Sequence, residues 1–345
     1  MKKFSALSMI VAAVVFLVGC NGNDNPGPEP LRDYQTQYNA DIADIEEFLK
    51  THSFEVVNAP GEPQDQDVIF TRIPEDDTTT PSVWDSPLLM SRMVDRHDIQ
   101  YKLYYLKLRE GGGAANDKPF PCNVDGVVAA YRGSYMFRFP LTETIDGVEV
   151  PVTEIVNGVE VQVQELRTFE FEANPFPQST LSLENVIKGW SEVFPQFRSG
   201  DRTIVDGEPI QYSDFGAGVV FIPSGLGYYG QSQSVIPKYS PLIFSFKLMD
   251  VVRLDQDQDG VDSWLEDLDG DRYIRITGEG EPNPDNTDYP SDLVPDYLDL
   301  DDDADQVLTE NEIKNPATGE PYQYSEIPQC PGGNGKPKHR DPSCQ

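Results

Sequence analysis

Basic residues are scarce in this chain. Only 26 Lys and Arg stand against 59 Asp and Glu, a formal net charge of −33. No basic footprint exists to neutralise phosphates, so the sequence argues against a nucleic-acid partner. Histidine is rarer still, with three in 345 residues. His52 and His97 stand isolated, the usual setting of a structural imidazole. A long hydrophobic run is also missing: the N-terminal apolar stretch, Leu7–Val18, falls short of the roughly 20 residues that a spanning helix needs. Gly111-Gly112-Gly113 has neither a Lys-Ser/Thr nor a helix after it, so it is no phosphate loop. What is abundant is Pro (29) and Gly (27), beside 38% hydrophobic residues. That mixture suits one good core with much loop, and the length suits two or three domains.

The N-terminus reads Met1-Lys2-Lys3, then the short apolar run, then Leu17-Val18-Gly19-Cys20. A basic start and a brief apolar core fit an export signal over residues 1–19. The ending resembles the lipobox of bacterial lipoproteins. That resemblance implies a lipidated Cys20, membrane attachment through acyl chains and, with Asn21 following, an outer-membrane location. Residues 20–32 then read as a tether. Of the remaining cysteines, Cys330 and Cys344 bracket a tail without evident core over residues 314–345 and are expected to pair. Cys122 is left over and expected to be buried and inert.

Along the chain, Tyr34, Tyr38, Ile42, Ile45, Phe48 and Leu49 recur at helical spacing, predicting an amphipathic helix from Asp33 to about His52. Residues 54–98 carry short apolar pieces between loops and no visible chemistry, so 33–98 reads as a helical and irregular segment. Strands are predicted at Ile99–Leu108, Val124–Tyr131, Val219–Ile222 and Leu242–Val252. In the last, Leu242, Phe244, Phe246 and Leu248 share one face and Ser245 and Lys247 the other, a strand with one buried face. Asp146-Gly147 and Asn157-Gly158 each sit between Val-rich stretches and predict hairpins within an insertion over 134–168. A second insertion spans Thr203–Phe215.

Three blocks then carry a resemblance. Val127-Val128-Ala129-Ala130-Tyr131-Arg132-Gly133, Asn185-Val186-Ile187-Lys188-Gly189-Trp190 and Ile222-Pro223-Ser224-Gly225-Leu226-Gly227-Tyr228, the last followed by Ile236-Pro237 and Leu242-Ile243-Phe244, resemble the FKBP family of peptidyl-prolyl isomerases over residues 99–254. The resemblance implies an α+β fold, an antiparallel sheet wrapped on a short helix. It implies Trp190 as the pocket floor, with Tyr131, Phe171, Val186, Ile236 and Phe244 as walls. It also implies a backbone N–H from Ile187 and a hydroxyl from Tyr228 for substrate carbonyls, with no cofactor. At the pocket wall the family has Phe-Asp; this chain offers Phe169-Glu170 or Phe171-Glu172, and spacing to Asn174-Pro175 favours the latter. Tyr229 takes the place of the family's glycine.

Beyond residue 254 the chain is strongly acidic. Asp255, Asp257 and Asp259, a turn Gly260, Val261 and Glu266 fit a twelve-residue calcium loop, with side-chain oxygens at positions 1, 3, 5 and 12 and a carbonyl at 7. Asp301, Asp303, Asp305, Val307 and Glu312 repeat it, with Gln306 in the glycine position. Asp267, Asp269 and Asp271 begin a third set that lacks the twelfth-position Glu. The pattern over 255–313 resembles bacterial thrombospondin type 3-like repeats more than paired EF-hands, and implies Ca²⁺ as a structural ion. The expected function is a prolyl isomerase for exported, proline-containing chains at the cell envelope. The alternative is a calcium-dependent surface protein that binds proline segments without turnover.

Overall fold

The computed structural model describes residues 29–207, 209–278, 280–288, 290–333 and 335–344. The expected leader and Cys20 lie outside them. Asp33–Gln345 forms one compact unit.

Its centre is an antiparallel sheet in the order Gln164–Asn174, Gly126–Pro140, Leu242–Val252, Gly216–Ile222, Ile99–Arg109, Leu89–Arg96, with the short Leu181–Ser182 strand also on Gly126–Pro140. The period of two in each strand sorts side chains onto two faces. Leu103, Tyr105, Val220, Ile222, Leu242, Phe244, Phe246 and Leu248 face one way, against Trp190, Val193, Phe194 and Phe197. Trp190 and Val193 lie on a six-residue helix, α2 (Lys188–Val193). Tyr104, Leu106, Val219, Phe221 and Ile243 face the other way, against Ile45, Phe48 and Leu49. These last belong to α1 (Tyr34–Thr51), which Asp33 caps by accepting from the Thr36 N–H at 2.8 Å. The architecture is α+β with a sheet wrapped on a short helix, as the resemblance implies.

Two expectations change. The central strand Leu242–Val252 was expected to bury one face and buries both, because α1 and the hairpin His52–Val56/Val68–Arg72 cover the second. Even Lys247 is only 6% exposed, its Nζ bonded to the Pro63 carbonyl and the Asp67 carboxylate, each at 2.6 Å. The segment 33–98 is likewise no irregular prelude: Leu89–Arg96 pairs with Ile99–Arg109 throughout its length, so the expected boundary at residue 98 cuts a hairpin.

The strand beginning at Gly126 runs on to Pro140 instead of stopping at Tyr131, so both ends of the expected 134–168 insertion belong to the main sheet and only its middle stands apart. Two successive hairpins, Thr142–Ile145/Val148–Pro151 and Thr153–Val156/Val159–Gln162, turn at Asp146-Gly147 and Asn157-Gly158, all four turn residues at positive φ. Asp201–Thr203 and Gln211–Ser213 form a small hairpin in the second insertion. Cys330 and Cys344 are disulfide-bonded, and Cys122 is buried and free, its thiol pushed up to about 12 by burial.

Candidate functional site

An aromatic box sits between α2 and the sheet. The Trp190 ring stands edge-on to Tyr131 at 4.9 Å and to Phe244 at 5.1 Å, with Phe171 against Phe244 at 5.6 Å. Edge-to-face rings at such distances are favourable beyond their burial. Two backbone features build the box. The register of Gln164–Asn174 slips between Glu170 and Glu172, leaving Phe171 as the unpaired bulge residue whose ring turns to the box. Across the strand pair, Gly133 faces Phe244; a Cβ at Gly133 would lie 2.6 Å from both the Phe171 and Phe244 rings, so only glycine admits them together.

The two Phe-Glu pairs differ in their contacts. Phe169 stacks on Tyr135, whereas the Tyr131 hydroxyl donates to Glu172 Oε1 at 2.8 Å. Burial, followed by that bond, raises the Tyr131 hydroxyl's pKa. Val186 and Ile187 pack half-buried on the same cluster, and Ile236 is buried in it. Ile187 is the residue before the first turn of α2, where backbone N–H groups have no intrahelical acceptor. The Trp190 indole N–H is buried without a partner. Tyr228 packs on the cluster, while Tyr229, at φ 50°, turns away and stacks on Tyr34 of α1 at 4.4 Å. Eight of the nine expected residues pack in this one core cluster, and Glu172 joins them through Tyr131.

Sequence reasoning missed how the signature loop is held. Asp41 of α1, 1% exposed, accepts from the Ser224 N–H at 2.7 Å and the Ser224 hydroxyl at 2.6 Å, and Gln37 donates to its other oxygen. Burial pushes Asp41 up to about 7. One Asp on a helix surface carries no local signal of a partner 183 residues away. His97 stacks on Tyr34 at 3.8 Å, a structural role. A separate cleft of about 920 Å³, lined by Phe176, Tyr212, Phe215 and Met249 among others, contains none of the box residues.

The acidic loops have a repeated geometry. In the first, Gly260 N–H donates to Asp255, Asp259 N–H to Asp257 and Val261 N–H to Asp259; in the second, Gln306, Asp305 and Val307 donate to Asp301, Asp303 and Asp305 in the same way. Gly260 (φ 98°) and Gln306 (φ 77°) both take the left-handed conformation, so Gln306 preserves the turn at the cost of strain. The remaining oxygens face inward. Asp257 Oδ2, Asp259 Oδ2 and both oxygens of Glu266 are buried without hydrogen-bond partners, as are Asp303 Oδ2, Asp305 Oδ2 and both oxygens of Glu312, whose Oε1 has the Lys338 ammonium at 3.9 Å. Burial and neighbouring carboxylates push Glu266 up to about 10 and Glu312 to about 8. Converging, unpaired carboxylates are costly unless a cation joins them, so these residues fit Ca²⁺.

Asp302, at position 2 of the second loop, was not foreseen. It is buried, both its oxygens lack partners, and it gathers with Asp259 and Glu266 of the first loop. A carboxylate from outside the first loop's twelve-residue window is invisible to spacing.

A family model described as BamM C-terminal matches residues 256–337. No curated protein matches the chain. Among solved structures, the peptidyl-prolyl cis-trans isomerase of Pseudomonas syringae pv. tomato is 15% identical over 66% of this chain and 100% of its own, with a TM-score of 0.32. FkpA of Escherichia coli is 23% identical over 44% of this chain and 48% of its own, at 0.24. The three FKBP domains of wheat FKBP73 give 17% identity over 44% of this chain and 46% of theirs, at 0.22. The chain therefore spans the whole of the first and less than half of the other two.

Proposed function

We propose that residues 99–254 form an FKBP-type prolyl isomerase. The observation that carries the reading is the four-ring box of Tyr131, Phe171, Trp190 and Phe244 with the Tyr131–Glu172 hydrogen bond at its rim. Amide resonance sets a barrier of about 18–20 kcal/mol to rotation of a prolyl bond. No nucleophile or proton transfer is needed. A rotating amide has a less dipolar carbonyl than a planar one, so a dry apolar box binds the transition state better than the ground state. Trp190 lies under the pyrrolidine ring; Tyr131, Phe171, Val186, Ile236 and Phe244 exclude water around it. The Ile187 N–H and Tyr228 hydroxyl hold flanking carbonyls, and Glu172 fixes Tyr131.

The chain acts on exported polypeptides at the outer membrane, anchored through Cys20. The match of residues 256–337 to the BamM C-terminal model supports an outer-membrane-associated setting. Ca²⁺ binds at Asp255, Asp257, Asp259, Glu266 and the Val261 carbonyl, and at Asp301, Asp303, Asp305, Glu312 and the Val307 carbonyl, as a structural ion. A protease-coupled isomerisation assay on a proline peptide, with and without chelator, tests the reading. Rate enhancement lost in Trp190→Ala is the expected result. Peptide binding without enhancement would replace it by proline-segment recognition alone.

A further inference from the structure

The third acidic set, 267–278, repeats the backbone geometry of its neighbours. Arg272 N–H donates to Asp267, Asp271 N–H to Asp269 and Tyr273 N–H to Asp271, and Arg272 takes φ 72° where Gly260 and Gln306 turn. Carboxylate oxygens of Asp267, Asp269 and Asp271 lie within 4.8 Å of one another. By sequence the set is incomplete, because Gly278 stands at its twelfth position.

The folded chain supplies the missing carboxylate from farther on. Asp285 is 1% exposed; Leu268 N–H fixes its Oδ1 at 3.0 Å, and its Oδ2 is buried without a partner. Leu268 stands between Asp267 and Asp269, so this bond sets the Asp285 carboxylate beside the set. Arg275 pairs with Asp271 Oδ2, the oxygen that the Tyr273 N–H leaves over, at 3.1 Å, so an ion here displaces that contact.

Tyr273 occupies position 7 of this loop, where the backbone carbonyl points to the ion. Its side chain leads elsewhere. The Tyr273 hydroxyl donates to the Glu192 carbonyl at 2.9 Å and accepts from Gln196 at 2.7 Å, while the Arg92 guanidinium lies 3.7 Å over its ring. Glu192 belongs to α2, two residues beyond Trp190. A helix of six residues without a side-chain N-cap has little stability of its own and takes its position from outside contacts.

We propose that Asp267, Asp269, Asp271 and Asp285, with the Tyr273 carbonyl, hold a third calcium ion, and that this ion fixes Tyr273 against the helix carrying Trp190. The proposal rests on the calcium reading of the two flanking loops. Native mass spectrometry of the full chain in detergent, titrated with CaCl₂, counts the ions. Asp285→Asn and, at an exposed position that spares the core, Asp269→Asn are each expected to hold one ion fewer than the parent. An unchanged count in both overturns the third site alone; a parent that binds no calcium overturns it together with the flanking loops. Amide exchange reads the coupling without requiring catalysis. Calcium is expected to slow exchange over residues 188–196 in the parent and not in Tyr273→Phe, whose ion count stays the same. Equal slowing in Tyr273→Phe overturns the link to α2.

Discussion

The sheet and the acidic module solve the same problem with opposite materials. Between residues 89 and 252, order comes from apolar side chains on both faces of a sheet, closed by α1 on one side and α2 on the other. Beyond residue 254 the apolar clusters are small, Val261, Ile313 and Ile327 in one case, and many of the buried side chains are carboxylates. Burial of hydrocarbon stabilises the first region under most solution conditions. On the calcium reading proposed above, the second needs a cation to offset its own repulsion, so one region is robust and the other conditional.

Chelation should break this contrast open most widely. With divalent ions removed, limited proteolysis is expected to cut within 255–344 while 99–252 stays protected; equal protection of both would erase the distinction. The reverse lesion is Trp190→Ala. Removing a buried aromatic costs about 3–5 kcal/mol, so urea should unfold the sheet region earlier and isomerisation should fail, with calcium still bound by the module.

A pH series on Asp41→Asn sharpens the comparison from the sheet side. Burial lifts Asp41 to about 7, from an ordinary value of about 3.9. A raised carboxyl binds its proton more tightly folded than unfolded. Its contribution is therefore fully present below about pH 4 and lost as pH rises to about 7. Melting temperatures measured in calcium should show the parent losing ground to Asp41→Asn across that window and a constant gap above it. A parallel pair of curves would refute the assignment. The smallest effect belongs to Gln306→Gly. Relieving a left-handed non-glycine residue is worth about 1 kcal/mol, or about fivefold tighter calcium at the second loop, readable by titration calorimetry.

What sequence could and could not reveal follows the same division. The alternation of Leu242, Phe244, Phe246 and Leu248 announced a buried face because a strand's period is local. The burial of Lys247 did not show, since its cover comes from residues near 63–67. The FKBP-like blocks gathered the box residues and spacing favoured Phe171-Glu172, yet the bulge that turns Phe171 to the box left no mark in the sequence. In the module, the repeated carboxylates inside each twelve-residue window were legible. Asp285 and Asp302 were not, because the chain brings them back over distances that carry no pattern. The α1 stripe suggested packing without revealing that Asp41 would reach Ser224.

Asp302 also has a temporal meaning. It lies 36 residues after Glu266, from residue 266 to residue 302, and gathers with it in one buried cluster. During synthesis the first loop therefore emerges with its inner carboxylates facing no completing partner, and stays so until the second loop has followed. Closing that span costs entropy before any ion rewards it. On the calcium reading, the first-made loop is thus completed only by the last-made one.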